Sequence, residues 1–275
     1  MSSDDIRTSI EETVDDFINI NFTLHPKAIS ETANKKIRDG INLTDNRSVD
    51  YFFSGDVILT YSHSKLVEKV LLDAAAQGKK IKVVVADGRI QNLGNFKGFT
   101  VLIKVTTIIS IVSGRTLVPK LVNAGIHCTY ILLSALPQIL PTVTKVLLGC
   151  DGVMANGCVL ASVGTSQVAL MSKSFNKPVV VCCETYKFTE RVQTDSFVYN
   201  ELSDPDDLVS TGRLSQPLSD WRDLNSLCLL NLVYDLTPAV LVDSIVTEIS
   251  EIPPTSVPVV LRLHNMGDPG IVPQV

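Results

Sequence analysis

Val57-Ile-Leu-Thr-Tyr-Ser-His-Ser-Lys-Leu-Val-Glu-Lys-Val-Leu-Leu-Asp-Ala-Ala-Ala-Gln-Gly78 runs almost directly into Ile81-Lys-Val-Val-Val-Ala86. The first four residues are a short apolar run, the mark of a strand buried on both faces. Ser62 and Ser64 then offer helix N-caps. Leu66, Val67, Val70, Leu71 and Ala74 follow at helical spacing until Gly78 stops the pattern. Ile81 to Ala86 is a second apolar run. Strand, helix and strand in this order close as a right-handed β-α-β unit with a parallel pair.

The same rhythm recurs downstream. Cys128–Leu133, Val146–Leu148 and Val179–Cys183 read as further strands, and Val163 to Ser174 reads as a helix between the last two. Alternation of this kind predicts an α/β fold: a doubly wound, mainly parallel, Rossmann-like sheet. Upstream, Ile6, Ile10, Val14 and Phe17 keep helical spacing, and so do Ile29, Ala33 and Ile37 in a stretch ending before Gly40. Residues 1–53 are therefore read as a partial helical region and 54–264 as the α/β domain. Within that domain, Pro238 is expected to open a helix to about Ile249, with Leu241, Ile245 and Ile249 on one face. Val257 to Leu263 reads as a last strand. Residues 265–275, bearing Gly and Pro, read as a flexible tail.

Composition narrows the function classes. The chain has 275 residues, 45% hydrophobic and 19% charged, with a formal net charge of -5. The apolar content suffices for a core, and the low charge predicts apolar surface covered by a partner. The acidic balance, with no basic run, argues against direct nucleic-acid binding. Met1 to Glu12 is polar and acidic, unlike a secretory signal. The most apolar run, Phe99 to Val112, has 14 residues and contains Lys104; a membrane span needs about 20. The cytosol is the expected location. Cys128, Cys150, Cys158, Cys182, Cys183 and Cys228 form no CxxC pair and no metal-ligand spacing with His. They read as buried, reduced thiols, and no metal or cofactor is expected.

Three strand-to-loop junctions hold polar residues where such a sheet binds ligands. The first, Thr60-Tyr-Ser-His-Ser-Lys65, joins strand to helix, and Ser62 and His63 with free backbone N–H groups suit an anion. A plain serine-capped helix explains the same residues. The second, Asp87-Gly-Arg89, ends a strand, and Arg89 there suits a phosphate or carboxylate as well as it suits a surface turn. The third is Gly149-Cys-Asp-Gly-Val-Met-Ala-Asn-Gly157 with Val163-Gly-Thr165. Its candidates are Asp151, Asn156, Gly157, Gly164 and Thr165, set against a series of turns that needs its glycines for backbone reasons alone.

Ala155-Asn-Gly157 with Val163-Gly-Thr165, Cys182-Cys-Glu-Thr-Tyr-Lys-Phe188, Val192-Gln-Thr-Asp195 and Asn200-Glu201 resemble the family of the alpha, beta and delta subunits of translation initiation factor 2B. Methylthioribose-1-phosphate isomerase and ribose-1,5-bisphosphate isomerase are its enzymatic relatives. Glu190-Arg-Val-Gln193, Leu230-Asn-Leu-Val-Tyr-Asp235 and Ile252-Pro-Pro-Thr-Ser-Val-Pro258 are most similar to the delta branch. The resemblance runs from about Ser54 to Leu263. It implies a regulatory or scaffold subunit of the guanine nucleotide exchange factor for initiation factor 2. The implied partners are beta, alpha, gamma and epsilon subunits and initiation factor 2 with its alpha subunit phosphorylated. It implies that Leu230, Asn231 and Leu232 lie at a subunit interface; an ordinary core strand fits the same residues.

The resemblance also bears on catalysis. The isomerases use a cysteine and an aspartate as an acid and base pair. Asp151 matches the aspartate position, but the cysteine position falls on Ser62. A serine hydroxyl has no accessible ionised form near neutral pH without an activating base. Ser162 stands where the isomerases have a lysine. The expectation is a vestigial pocket without catalysis, the alternative being a sugar-phosphate isomerase or a metabolite-binding relative. Two departures accompany the likeness. Ile90 to Val112 forms an insert roughly 20 residues longer than the family pattern, unusual inside a compact domain. It reads either as an unspliced intron or as a genuine loop packed on a partner. The family also implies a fuller helical region before the sheet, so a shortened N-terminus is expected.

Overall fold

The computed structural model describes residues 25–42, 55–88, 114–209 and 220–265. The opening unit forms as its pattern dictates. β1 (Val57–Tyr61) leads into α2 (Lys65–Ala76), and β2 (Lys82–Asp87) returns parallel to β1 with Leu59 opposite Val84. α3 (Gly114–Asn123) connects to β3 (His127–Leu132), again parallel, at the sheet edge. Three short helical turns follow, the middle one α4 (Leu136–Ile139). The chain then crosses to the other side of β1 and forms β4 (Lys145–Gly149).

β4 is followed by a hairpin, β5 (Gly152–Met154) and β6 (Val159–Ser162), then by α5 (Thr165–Ser174) and β7 (Val179–Cys182). After β8 (Phe188–Thr189), the one-turn helix α6 (Asp206–Val209) and β9 (Tyr234–Thr237), the sheet is completed by β10 (Ser244–Val246) and β11 (Glu251–Ile252). The main sheet runs β11-β10-β7-β4-β1-β2-β3, parallel throughout except for β11. A second sheet, β8-β5-β6-β9, stands beside it. The chain ends its described part in α7 (Val257–Asn265).

Alternate residues of the central strands feed two cores, as a doubly wound sheet requires. Ile58, Val83, Val85 and Leu147 pack against Leu66, Val70 and Leu71 of α2 and Leu117 and Leu121 of α3. Leu59, Val84, Val146 and Leu148 pack on the opposite face against Leu136, Val168, Ala169 and Val257. α1 (His25–Asn42) lies on the first core through Ile29 and Ala33. It is tied to α2 by Ser30 Oγ donating to Asp73, and to the loop after α2 by Lys79 Nζ donating to the Asn34 carbonyl at 2.7 Å. This helix continues through Gly40, where the sequence pattern stops short.

Four expectations change. Pro238 opens no helix to Ile249: Ser244–Val246 is a fully buried strand paired with β7. The spacing of Leu241, Ile245 and Ile249 is helical by coincidence, and the β-branched run Ile245–Thr247 prefers the pleated surface. Val257 to Leu263 is helical rather than extended, because Pro254 and Pro258 fit a helix entry, where their missing N–H groups go unneeded. The third junction is a hairpin of the second sheet, not a series of turns. Cys228 is exposed and Cys128 and Cys158 are half-exposed, so only Cys150, Cys182 and Cys183 are buried thiols. The fragments around Ile6 to Phe17, Arg89, the Ile90–Val112 insert and the tail lie outside the described residues.

Candidate functional site

The winding reverses between β1 and β4, and a doubly wound sheet takes its ligand in the crevice at the carboxyl ends of such a pair. The residues there are Tyr61 and Ser62 from β1, Gly149 to Asp151 from β4, and Gly164 and Thr165 at the start of α5. The predicted candidates divide into three groups around this place.

Ser62 sits at the crevice in the left-handed region, φ 55°, with its N–H donating to the Ala86 carbonyl at 2.9 Å. For a side chain other than glycine that conformation costs about 1 kcal/mol. His63 is not an anion ligand. Its Nε2 meets Glu68 Oε2 at 2.5 Å, and Lys120 of α3 reaches both Glu68 oxygens at 2.9 Å. Burial pushes the Glu68 carboxyl up, but the bonds from Lys120 and His63 prevail and hold it below the usual range. Glu68 thus joins α2 to α3 through Lys120 and holds His63 by Nε2, while His63 Nδ1 is buried with no hydrogen-bond partner among the described residues. Arg89 lies outside the described residues.

Asp151 is exposed at the foot of the β5–β6 hairpin, its N–H donating to the Leu160 carbonyl at 2.9 Å. Asn156 and Gly157 are at the other end of that hairpin. Asn156 Nδ2 donates to the Gln193 carbonyl at 2.8 Å, and its Oδ1 accepts from Cys158 N–H at 3.2 Å. Gly157 has φ +79°, and a Cβ there would lie 2.6 Å from the Pro254 carbonyl oxygen. Both are turn residues with structural work. At about 3.3 Å per residue, the six steps from Gly157 to Val163 place them roughly 20 Å from the crevice. The five candidates of the third junction therefore do not form one pocket.

Gly164 and Thr165 do sit at the crevice, but the helix end they open is already occupied. Gly164 has φ +104° and donates its N–H to Asp235 Oδ2 at 2.7 Å; Ser166 N–H donates to the same oxygen at 3.0 Å. Thr165 is buried and bonds back to the Ser162 carbonyl at 2.7 Å. Asp235 comes from β9, paired opposite Ala161. Burial pushes its pKa up to about 6, against the pull of the two N–H groups. Tyr61 completes the closure: its hydroxyl donates to the Val163 carbonyl at 2.6 Å. Burial, then the charges of Asp87 and Asp235, pushes that phenol well above its ordinary value.

Neither Tyr61 nor Asp235 was among the residues expected to act. A tyrosine ending a buried strand at a predicted ligand edge, and an aspartate inside the apolar run Leu232–Leu236, were the available signals. Beside them, at the ends of β4 and β7, the half-buried cation Lys187 pairs with Glu184 at 2.8 Å and donates to the Cys150 carbonyl at 3.1 Å. Burial and the neighbouring Cys150 push the Cys183 thiol up, so it stays protonated. This corner is built to be still: each charge has a partner, and the buried thiol stays neutral.

The interface candidates lie elsewhere. Leu202 and Leu232 face each other in an isolated antiparallel bridge, flanked by Ser203 N–H to the Asn231 carbonyl at 2.8 Å and Val233 N–H to the Glu201 carbonyl at 3.1 Å. Two-residue alternation puts Leu230 on the face of Leu202 and Leu232. Leu202 is 70% exposed and Leu230 49%. Asn231 is turned to the Asp204 carbonyl at 2.8 Å. The preceding loop adds Phe197 at 69% and Tyr199 at 85% exposure. That loop is pinned to β9 by Asn200 Nδ2 on the Tyr234 carbonyl at 2.7 Å and by Leu236 N–H on Ser196 Oγ at 3.0 Å. An ordinary core strand is therefore excluded for Leu230 and Leu232.

The fold and these two regions define a class: a Rossmann-like domain whose α5 start is bonded by its own Asp235, with an apolar outer face. Comparison with known proteins gives the family. The sequence profile of the initiation factor 2 subunit family matches residues 2–112 and 111–254, and the chain belongs to that family. It is 41% identical over 234 residues to translation initiation factor eIF2B subunit delta of Dictyostelium discoideum, covering 82% of this chain and 34% of that protein. It is 36% identical over 267 residues to the delta subunit of Schizosaccharomyces pombe, covering 95% and 50%. Ribose 1,5-bisphosphate isomerase of Pyrococcus furiosus is 32% identical over 200 residues, 73% of this chain and 54% of the enzyme. The chain thus spans between a third and about half of the curated relatives it matches. Among solved structures, the tetrameric eIF2B-beta2-delta2 complex from C. thermophilum matches with TM-score 0.64 and 27% identity over 90% of this chain and 64% of that one. No described helix is long and apolar enough to cross a membrane.

Proposed function

We propose that this chain is a delta-like regulatory and scaffold subunit of the exchange factor for translation initiation factor 2, working in the cytosol by binding partners rather than by catalysis. The observation that carries this reading is the apolar outer face of Phe197, Tyr199, Leu202 and Leu230, rigidly held by β9 yet open to solvent. Exposed apolar residues held in place mark a docking surface. The delta relatives and the beta–delta tetramer support a beta-like subunit as the occupant. Alpha, gamma and epsilon subunits and phosphorylated initiation factor 2 follow as further partners of the assembly. Co-expression with beta, alpha, gamma and epsilon subunits and affinity capture tests the reading; a folded chain that stays alone overturns it.

The absence of catalysis rests on chemistry. Ser62 stands where the isomerases carry a cysteine, and a serine hydroxyl ionises far less readily near neutral pH than a thiol. One observation favours the other reading, a sugar-phosphate isomerase: ribose 1,5-bisphosphate isomerase of Pyrococcus furiosus is 32% identical over 200 residues. Turnover of ribose 1,5-bisphosphate or methylthioribose-1-phosphate by the purified chain would establish it.

A further inference from the structure

A doubly wound sheet places a ligand where its winding reverses and seats the ligand's anionic group on a helix N-terminus. Here both seats are filled from within. The Tyr61 side chain, 7% exposed, lies at the carboxyl end of β1 with its hydroxyl on the Val163 carbonyl. Gly88, after β2, is close enough that a Cβ there would lie 2.6 Å from the Tyr61 hydroxyl, and a Cβ at Gly164 would overlap that hydroxyl outright. The ring therefore spans the gap from β1 to the start of α5 and to the end of β2. On the β4 side the crevice is narrowed again, because a Cβ on Gly149 would overlap the Ser64 side chain. The N–H groups that would hold a phosphate, those of Gly164 and Ser166, both donate to Asp235 Oδ2. The other oxygen of that carboxylate, Oδ1, is buried with no hydrogen-bond partner among the described residues.

We infer that Tyr61 and Asp235 act as a built-in occupant of the ligand crevice, closing this chain to sugar phosphates and other small anions: the ring fills the space, and the carboxylate takes the helix N–H groups. Each group does a separate part of the job. Tyr61 excludes by volume, so it acts on any ligand of sugar size. Asp235 excludes by charge, so it acts on anions of any size. Removing one leaves the other in force, and the two together make the crevice a structural joint between β1, β9 and α5. The inference stands apart from subunit association, which a pull-down reads separately.

The test is calorimetric titration of the chain and of Tyr61→Ala, Asp235→Ala and the double variant with inorganic phosphate and with ribose 5-phosphate. Folding is checked by circular dichroism. The unchanged chain is expected to give no saturable heat with either probe. The double variant is expected to bind both with saturable heat, as two freed N–H groups at a helix start warrant. Asp235→Ala alone is expected to gain phosphate but not the larger sugar phosphate. Binding by the unchanged chain as tight as by the double variant overturns the inference, and so does a folded double variant that binds neither. Nitration with tetranitromethane keeps the idea testable if the double variant does not fold. In the unchanged chain Tyr199, 85% exposed, is expected to react and Tyr61 to be protected. Equal rates at the two rings would mean that the crevice is open.

Discussion

Asp235→Asn exchanges a carboxylate oxygen for an amide group at a place where the carboxylate is both buried and bonded to the N–H groups of a helix start. Oδ2 accepts from Gly164 and Ser166, and burial pushes the pKa up to about 6 from its ordinary 3.8. That gap of about two pH units, at about 1.4 kcal/mol each, makes ionising Asp235 about 3 kcal/mol costlier in the fold than in the unfolded chain. The folded value is the higher one, so the native state keeps its proton longer. The group's contribution to stability is greatest below the unfolded pKa, falls through the window between the two values, and is flat above the folded one. Asparagine carries no charge, and its Oδ1 still accepts from both N–H groups. The variant's stability relative to the parent should therefore rise by about 2 kcal/mol between about pH 4 and about pH 7. Urea unfolding of both chains, followed by circular dichroism at stepped pH, measures the difference directly and cancels every other titrating group. A flat difference would refute the reasoning. A falling one would mean that the helix N-terminus stabilises the carboxylate by more than burial costs it.

Gly157→Ala combines a left-handed backbone with a Cβ 2.6 Å from the Pro254 carbonyl. It should cost about 3 kcal/mol and lower Tm by roughly 9 °C, read by thermal melting. Tyr61→Phe keeps the ring but loses the 2.6 Å bond to Val163; a loss of about 1 kcal/mol is expected, and no loss would show that the hydroxyl is idle. Leu230→Asp changes an exposed side chain. Stability should move by less than about 0.5 kcal/mol while capture of a beta-like subunit falls, and unchanged capture would remove Leu230 from the interface.

The main sheet was readable because its central strands are buried on both faces. Val57–Leu59, Val83–Ala86 and Val179–Cys183 are continuous apolar runs, and nothing but a strand or a buried helix explains them. The second sheet was not. Gly152–Met154 and Phe188–Thr189 are too short to show alternation, and they gain strand identity only by pairing with β6 and each other. Ser244–Val246 hid behind a spacing that suits a helix, and its partner β7 is more than 60 residues away in sequence, as the Asp243 carboxylate on Val179 N–H illustrates. Residue type at a strand end pointed to the carboxyl edge of the sheet. It did not show that Tyr61 and Asp235 meet the start of α5 there, because both arrive by tertiary contact: Asp235 reaches Gly164 across 71 positions and Tyr61 reaches Val163 across 102. His63 was misjudged for the same reason, since Lys120, which completes its cluster with Glu68, lies on a different helix.

The account turns on whether the outer face of Phe197, Tyr199, Leu202 and Leu230 is a subunit interface. Affinity capture of the tagged chain co-expressed with a beta-like subunit, quantified by mass spectrometry beside Leu202→Asp/Leu230→Asp, asks this most directly. The account predicts a stoichiometric beta partner on the unchanged chain and its loss from a variant that melts at the same temperature. A folded chain that recovers no beta-like partner, or a variant that recovers it in full, would contradict it.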